Sequence, residues 1–434
     1  YGQKQIKTPH LDQLASEGMK FSQFYSGSSV CAPARSVLMT GMHTGHTRVR
    51  GNFGKGGVVG LAGNKGRVPI KSNDVTVAEV LKIKGYKTGM IGKWGLGEPN
   101  TTGEPNKQGF DYFYGFLNQR RAHSYFPEYL WENDKKVILN GNEDQKKTQY
   151  THDLFADKTM SFLDKNHESP FFLYLPHPQP HVPLYTATKF KDTQKRGLYG
   201  DVIREIDHSV GRVLETLKTE GLEEKTIVVF TSDNGPWLSY GGHSGSSGIF
   251  REGKGTSWEG GHRVPGIIRY PKIIKSNIRI DEPAMGIDWL PTLVDFTNRK
   301  LPDKKIHVAS LVPILTDISK VSPHNNFFFY YRTNELHAVR HKNWKLYVPH
   351  TYRSLNKKEV TNDGFPVPYD MNEIKVAQLY NLEKDPKEQK DISQLYPEMV
   401  MKIFKIADSI RGVLGDKLTG VKGREVRSVG RVFE

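Results

Sequence analysis

Apolar and polar positions fall into alternating blocks through roughly residue 310, with short apolar runs between amphipathic stretches. The runs "KTGMIGKWG" (87–95), "PFFLYLPH" (170–177) and "KTIVVFTSDNG" (225–235) predict buried strands, each ending in polar residues. Between the last two, "LYGDVIREIDHSVGRVLETLKTEGL" (198–222) has helical spacing, with Gly221 at its end. Strands alternating with helices predict an α/β fold with a mainly parallel central sheet. In such sheets chemistry gathers at the carboxyl ends of the strands, and the polar motifs fall there.

After about residue 320 the pattern changes. "NNFFFYYR", "ELHAVRHKNWKLYV" and "AQLYNLEKDP" predict short antiparallel strands, with turns at His341–Asn343 and Asp385–Pro386. "YPEMVMKIFKIADSIRGVL" (396–414) predicts a closing helix. The chain therefore divides into residues 1–320 and a smaller α+β subdomain, 321–434. Two stretches read as loops, the glycine-rich 51–67 and "GEPNTTGEPNKQG" (97–109). The first lacks the strand–G-x-G-x-x-G–helix context of a nucleotide site.

Composition narrows the function. The 434 residues are 36% hydrophobic, with 42 glycines and 24 prolines, as in a loop-rich globular enzyme. No apolar run is long enough to span a bilayer. The formal charge of +15 favours anionic substrates. It would also suit nucleic acid, but no zinc-finger spacing, RNP-like motif or basic heptad region accompanies it. The sequence begins at Tyr1, with neither Met nor a signal peptide, so the N-terminus does not indicate a compartment.

The single cysteine, Cys31, rules out an internal disulfide and a thiolate cluster. It lies in "SVCAPARSVLMTG" (29–41). Pro33 suits the first turn of a helix and Gly41 can end it, which puts Cys31 at or just before the N-terminus. That end favours negative charge and activates a nucleophile. Arg35, one turn along, can neutralise an oxyanion. A small buried thiol is the equally good plain reading.

Cys31-Ala32-Pro33-Ala34-Arg35, followed by Ser-Val-Leu-Met-Thr-Gly, resembles the C-x-P-x-R signature of type I sulfatases. The similarity covers essentially the whole chain. It implies an alkaline-phosphatase-like α/β/α sandwich and the hydrolysis of sulfuric esters. It further implies that Cys31 is oxidised by a formylglycine-generating or sulfatase-maturating enzyme to formylglycine, whose hydrate attacks sulfur. Other segments extend the match. Taken alone, "TSDNGP" (231–236) is an ordinary turn. The resemblance makes Asp233 and Asn234 ligands of Ca²⁺, together with residue 31, and Asp233 a helper in activating the nucleophile. Lys93 in "GKWG" and Lys254 in "FREGKGTSWEGGHRVPG" match lysines that hold the sulfate. His181 in "LPHPQPHVPLY" matches the histidine that protonates the leaving alcohol, with His177 as a lesser candidate.

Two departures stand out. The family's first strand, with a metal-binding Asp-Asp pair, would precede Tyr1. The chain is therefore expected to be a fragment lacking a central strand, with calcium short of its roughly six to eight oxygens. Secondly, the family's Gly-Lys-Trp-His-Leu-Gly reads "GKWGLG" here, with Gly95 in place of a histidine that helps expel sulfate. His123, in "NQRRAHSYFPEYLW", is expected to substitute for it. The expected substrate is a sulfated carbohydrate or an aryl sulfate, and the relatives suggest a periplasmic or secreted enzyme. Two other readings stay open: a phosphomonoester or phosphonate monoester hydrolase of the same superfamily, and an inactive glycan- or calcium-binding relative.

Overall fold

The computed structural model describes residues 1–52, 68–297, 301 and 308–428. The glycine-rich stretch 51–67 thus lies almost entirely outside the described residues.

The larger part of the molecule holds two five-stranded sheets. In one, Lys87–Lys93 lies between Tyr112–Phe116 and Phe171–Tyr174 and is parallel to both, and Tyr129–Glu132 and Lys135–Ile138 add an antiparallel edge. In the other, Met19–Tyr25 is parallel to Ile278–Ile280 and Ala284–Met285. It is antiparallel to Arg263–Arg269, which also pairs with Val228–Thr231.

The three strands predicted from apolar runs all form, but two of them differ from expectation. Phe171–Tyr174 and Val228–Thr231 are half-buried throughout. Each pairs on one side only, and both line a cleft of about 2150 Å³. Lys87–Lys93 is flanked on both sides and is buried from its second residue onward. The long helix covers Gly197–Thr219 and stops short of Gly221, whose φ of +65° suits the turn that follows.

Apolar cores support these sheets, among them a cluster of Ile91, Tyr114, Phe155 and Phe162 and the following two. Met90, Trp94, Phe110 and Phe113 pack with Leu290 in one, and Phe21, Phe24, Ile268 and Trp289 in the other. Full burial of such a side chain contributes roughly 1.5–3 kcal/mol.

The C-terminal part is an antiparallel sheet in the order Asn326–Tyr331, Glu335–His341, Trp344–Tyr347, Gln378–Asn381. Side chains alternate across it. Leu346 and Leu379 meet Ile403 and Ile410 of the predicted closing helix, Pro397–Leu414. Phe327, Phe329 and Tyr347 face Tyr25 and Trp258 of the larger part. A buried charge cluster crosses this seam: Lys345 Nζ donates to Ser257 O at 2.9 Å and to Glu259 Oε1 at 2.8 Å. The fold is mixed α/β, with a parallel trio of strands centred on Lys87–Lys93 and a separate antiparallel C-terminal sheet, the class the sequence pattern predicts.

Candidate active site

Cys31 is the first residue of the helix Cys31–Thr40. Val30 before it is extended, and Gly41 ends the helix in the left-handed region at φ 61°. Only Leu38 of the ten helical residues is not buried. Cys31 and Arg35 are each 3% exposed. The thiol therefore lies at the positive end of a helix dipole, shielded from bulk water.

Three cations surround it. Lys254 Nζ donates to Cys31 Sγ at 3.2 Å. Lys93 ends its strand 4% exposed, at the carboxyl end of the parallel trio. Arg35 donates from Nε to Trp94 O at 2.9 Å, from Nη1 to Asp233 Oδ2 at 2.8 Å, and from Nη2 to Gln119 Oε1. Burial and the Asp233 charge push the Cys31 thiol up, but Lys254, Lys93 and Arg35 together outweigh them and hold it below its ordinary value. Burial, helped by Arg35 and Lys254, lowers the Lys93 amine to about 8.

His181 stands beside this cluster. Its Nδ1 lies 2.7 Å from Val182 O, so Nδ1 carries the proton and Nε2 is the nitrogen left for chemistry. The His123 ring stacks on it at 3.7 Å and 11°, and Trp237 meets it edge-on at 5.6 Å. Burial, then Lys254, Lys93 and His123, hold the His181 pKa well below its ordinary value. Lys254 Nζ also lies 5.0 Å over the Trp237 ring, which links the Cys31 thiol to an aromatic side chain on the cleft wall.

Residues 1–299 match the family model described as Sulfatase, and residues 322–419 match the C-terminal region of aryl-sulfatase. The chain belongs to the sulfatase family.

The sulfatase is 33% identical over 420 residues to an arylsulfatase of Hemicentrotus pulcherrimus, covering 89% of this chain and 73% of that one. It is 32% identical to human arylsulfatase A, covering 89% and 79%. Among solved structures it is similar to Ps i-CgsB in complex with k-i-k-neocarrahexaose, with 27% identity and a TM-score of 0.76, covering 94% and 88%.

The sulfatase brings Cys31, Arg35, Lys93, Lys254 and Asp233 into one charge cluster, with His181 and His123 on its flank. His177 is elsewhere on the cleft wall: it stacks on His152 at 5.5 Å, and burial lowers it to about 4. Two deeper links were not foreseen. Arg353, from the C-terminal part, donates through Nε to Lys254 O at 3.0 Å and again through Nη2. Gln119 takes the Nη2 hydrogen bond of Arg35. Nothing local in the sequence signals Arg353; the anomaly at Gly95 pointed to His123, whereas the side chain that lies beside Gly95 is that of Gln119.

Calcium can be tested against the donors present. Asn234 Oδ1 is buried with no hydrogen-bond partner, and Asp233 adjoins it, so the donors are hard oxygens of the kind Ca²⁺ takes. They are too few. No group of three or more His, Cys, Asp or Glu residues that could hold a metal occurs among the described residues. Asp233 is also already engaged by Arg35. These residues alone do not make a calcium site, and no step below passes through one.

Proposed function

We propose that this sulfatase removes sulfate from a sulfated carbohydrate or aryl ester through an oxygen nucleophile made from Cys31. One observation carries the reading: a buried thiol at a helix N-terminus, with a lysine amine at 3.2 Å and Lys93 and Arg35 close enough to depress its pKa. A side chain held in so cationic a pocket is suited to meeting an anionic ester.

Oxidation of Cys31 to formylglycine, by a maturation enzyme that acts on this helix-forming segment, would supply a hydrated aldehyde as the nucleophile. The remaining roles belong to residues already in place. Lys93, Lys254 and Arg35 hold the non-bridging sulfate oxygens and offset the charge that builds on them as the S–O bond breaks. His181 acts as the imidazolium: with Nδ1–H held by Val182 O, a second proton taken from solvent on Nε2 passes to the leaving oxygen, and the neutral Nδ1–H ring remains. An anionic ester beside His181 raises its pKa, opposing the burial and cationic neighbours that lower it in the free protein. His123, stacked on His181, fixes the plane of that ring and is the candidate for the later proton transfer that the family assigns to a histidine at position 95.

Trp237 supports a ring-bearing substrate. It is half-buried on the cleft wall, within reach of both His181 and Lys254, whereas Trp94, Trp258 and Trp289 are buried in cores. A saccharide or aryl face can stack on such a side chain. The k-i-k-neocarrahexaose in the Ps i-CgsB complex agrees with this class. No helix among the described residues is long and apolar enough to cross a membrane. On the family resemblance alone, we place the enzyme in the periplasm or outside the cell.

The test is hydrolysis of 4-nitrophenyl sulfate, 4-nitrophenyl phosphate and a panel of sulfated oligosaccharides by the matured protein and by Cys31→Ala. Sulfate release that is lost in Cys31→Ala supports the reading. Preference for the phosphate ester, or activity that survives in Cys31→Ala, overturns it.

A further inference from the structure

We infer that Gln119 is a positioning residue: it locks Arg35 into its anion-binding pose, using the space left by the absence of a side chain at Gly95. The inference rests on the reading above that Arg35 binds sulfate.

Gly95 has φ +76°, and a Cβ built there would lie 2.9 Å from both Arg35 Nη2 and Gln119 Cβ, and 3.1 Å from Gln119 Oε1. Such separations are too short for ordinary contacts, so no side chain fits at 95 while Arg35 and Gln119 stay where they are. Gln119, 3% exposed, fills this corner. The sequence therefore replaces bulk at one position with a glutamine 24 residues later (119 − 95).

The glutamine does more than fill space. Its Oε1 accepts from Arg35 Nη2 and its Nε2 donates to Asn52 Oδ1 at 3.2 Å. Asn52 Oδ1 also accepts the backbone N–H of Ala32 at 3.1 Å. Arg35 and Ala32 belong to the helix that Cys31 opens. The links thus form a closed ring, from the guanidinium through Gln119 and Asn52 back to the N-terminal turn bearing the nucleophile. The ring couples the direction of Arg35 to the position of residue 31.

The arithmetic of donors explains why an amide is used. A guanidinium has five N–H groups. Three are committed, to Trp94 O, Asp233 and Gln119, leaving one on each terminal nitrogen for an anion. An amide oxygen accepts from Arg35 without neutralising it. Asp233 already offsets part of the charge, and a second carboxylate at 119 would cancel much of what remains. A carboxylate would also lose the donor that Asn52 receives.

The experiment compares Gln119→Ala, Gln119→Glu and the control Arg35→Lys in the full chain. It measures the Kd of inorganic sulfate by titration calorimetry, kcat and KM for 4-nitrophenyl sulfate, and Tm. A lock that leaves the Arg35 charge intact predicts that Gln119→Glu weakens sulfate binding and raises KM roughly ten- to hundredfold, more than Gln119→Ala does, because its carboxylate offsets the Arg35 charge that holds sulfate and gives up the bond to Asn52, a loss on the scale of a hydrogen bond between the anion and a charged group. A merely structural role predicts the reverse order, since Glu is nearly isosteric and Ala leaves a hole. If Arg35→Lys weakens sulfate binding while Gln119→Glu stays within about twofold, the inference is overturned and the Arg35 reading survives. If Arg35→Lys changes nothing, the Arg35 reading fails and the inference fails with it. Should Gln119→Ala not fold, the Glu variant and the control still decide between these outcomes.

Discussion

Lys254 Nζ lies 3.2 Å from Cys31 Sγ, although the two residues are 223 positions apart. The contact depends on both parts of the molecule. Lys254 N donates to Pro236 O at 2.8 Å beside the Asp233 turn, and Lys254 O receives Arg353 from the C-terminal part. Replacing Lys254 by Met keeps the length and removes the charge. The expected result is a loss of roughly 10²–10³ in kcat, the scale of removing one preorganised donor from a developing charge. Steady-state kinetics on 4-nitrophenyl sulfate checks it, and an unchanged kcat would remove Lys254 from the mechanism.

The second expectation concerns pH. An amine is cationic below its pKa, and Lys93 titrates at about 8 in this pocket. As pH rises through 8 the sulfate pocket loses a positive charge, so KM should climb. Lys93→Arg, whose guanidinium stays charged, should move this limb to higher pH while perturbing the geometry. A KM that is flat from neutral pH to well above 8 would contradict the assignment.

His181 gives a prediction that depends on the substrate. General-acid help is worth roughly 10²–10⁴ when the leaving group is a poor one, and much less when it departs readily as an anion. His181→Ala should therefore lose most of its rate on a sugar sulfate and little on 4-nitrophenyl sulfate. Because burial and nearby cations hold the His181 pKa low, the proton it must donate becomes scarcer as pH rises. The wild-type rate on sugar sulfates should thus fall with rising pH. Equal losses on both substrate types would show that His181 does not protonate the leaving oxygen.

Trp237→Ala should raise KM for ring-bearing sulfates about three- to tenfold, the scale of an aromatic contact worth roughly 0.5–1.5 kcal/mol. Short alkyl sulfates should be nearly indifferent. Quenching of Trp237 fluorescence by the desulfated sugar would give an independent readout of the same contact.

Stability should depend on Lys345, which is completely buried between Glu259 and Glu388. Removing one partner of a buried ion cluster typically costs about 3–5 kcal/mol, because the remaining charge is left without compensation. Lys345→Met should lower the unfolding free energy by an amount of that size, read as a fall in the denaturant midpoint at unchanged slope. The Trp258 ring packs 4.0 Å from Tyr347 across the same seam, so catalytic activity should fall with the seam.

Much of the fold was legible because it is encoded locally. Pro33 and Gly41 bracket a helix, and "IVVFTSDNG" reads as a strand running into a turn, and both elements form. The antiparallel strands after residue 320 followed from short runs rich in apolar and aromatic residues, with turns at His341–Asn343 and Asp385–Pro386. The hairpin of His350–Ser354 with Asp370–Ile374 was missed: its second strand, "DMNEI", is poor in strand formers and is held by its partner. In the candidate site, compact motifs carry Cys31, Arg35, Lys93, Asp233 and Lys254, and the fold brings these five side chains together. Gln119 and Arg353 were not foreseen, because each acts on a residue far away in sequence. Gly95 was visible as an anomaly, but only coordinates show that Arg35 and Gln119 crowd the space a side chain would need. His123 was foreseen near the pocket, and its partner proves to be the His181 ring.

The central claim is that Cys31 is the precursor of the nucleophile. The most direct measurement is the mass of the proteolytic peptide containing Cys31, from protein isolated from its native host. The account predicts a peptide that has lost its sulfur and carries an aldehyde at position 31. An intact thiol in protein that still releases sulfate would contradict it.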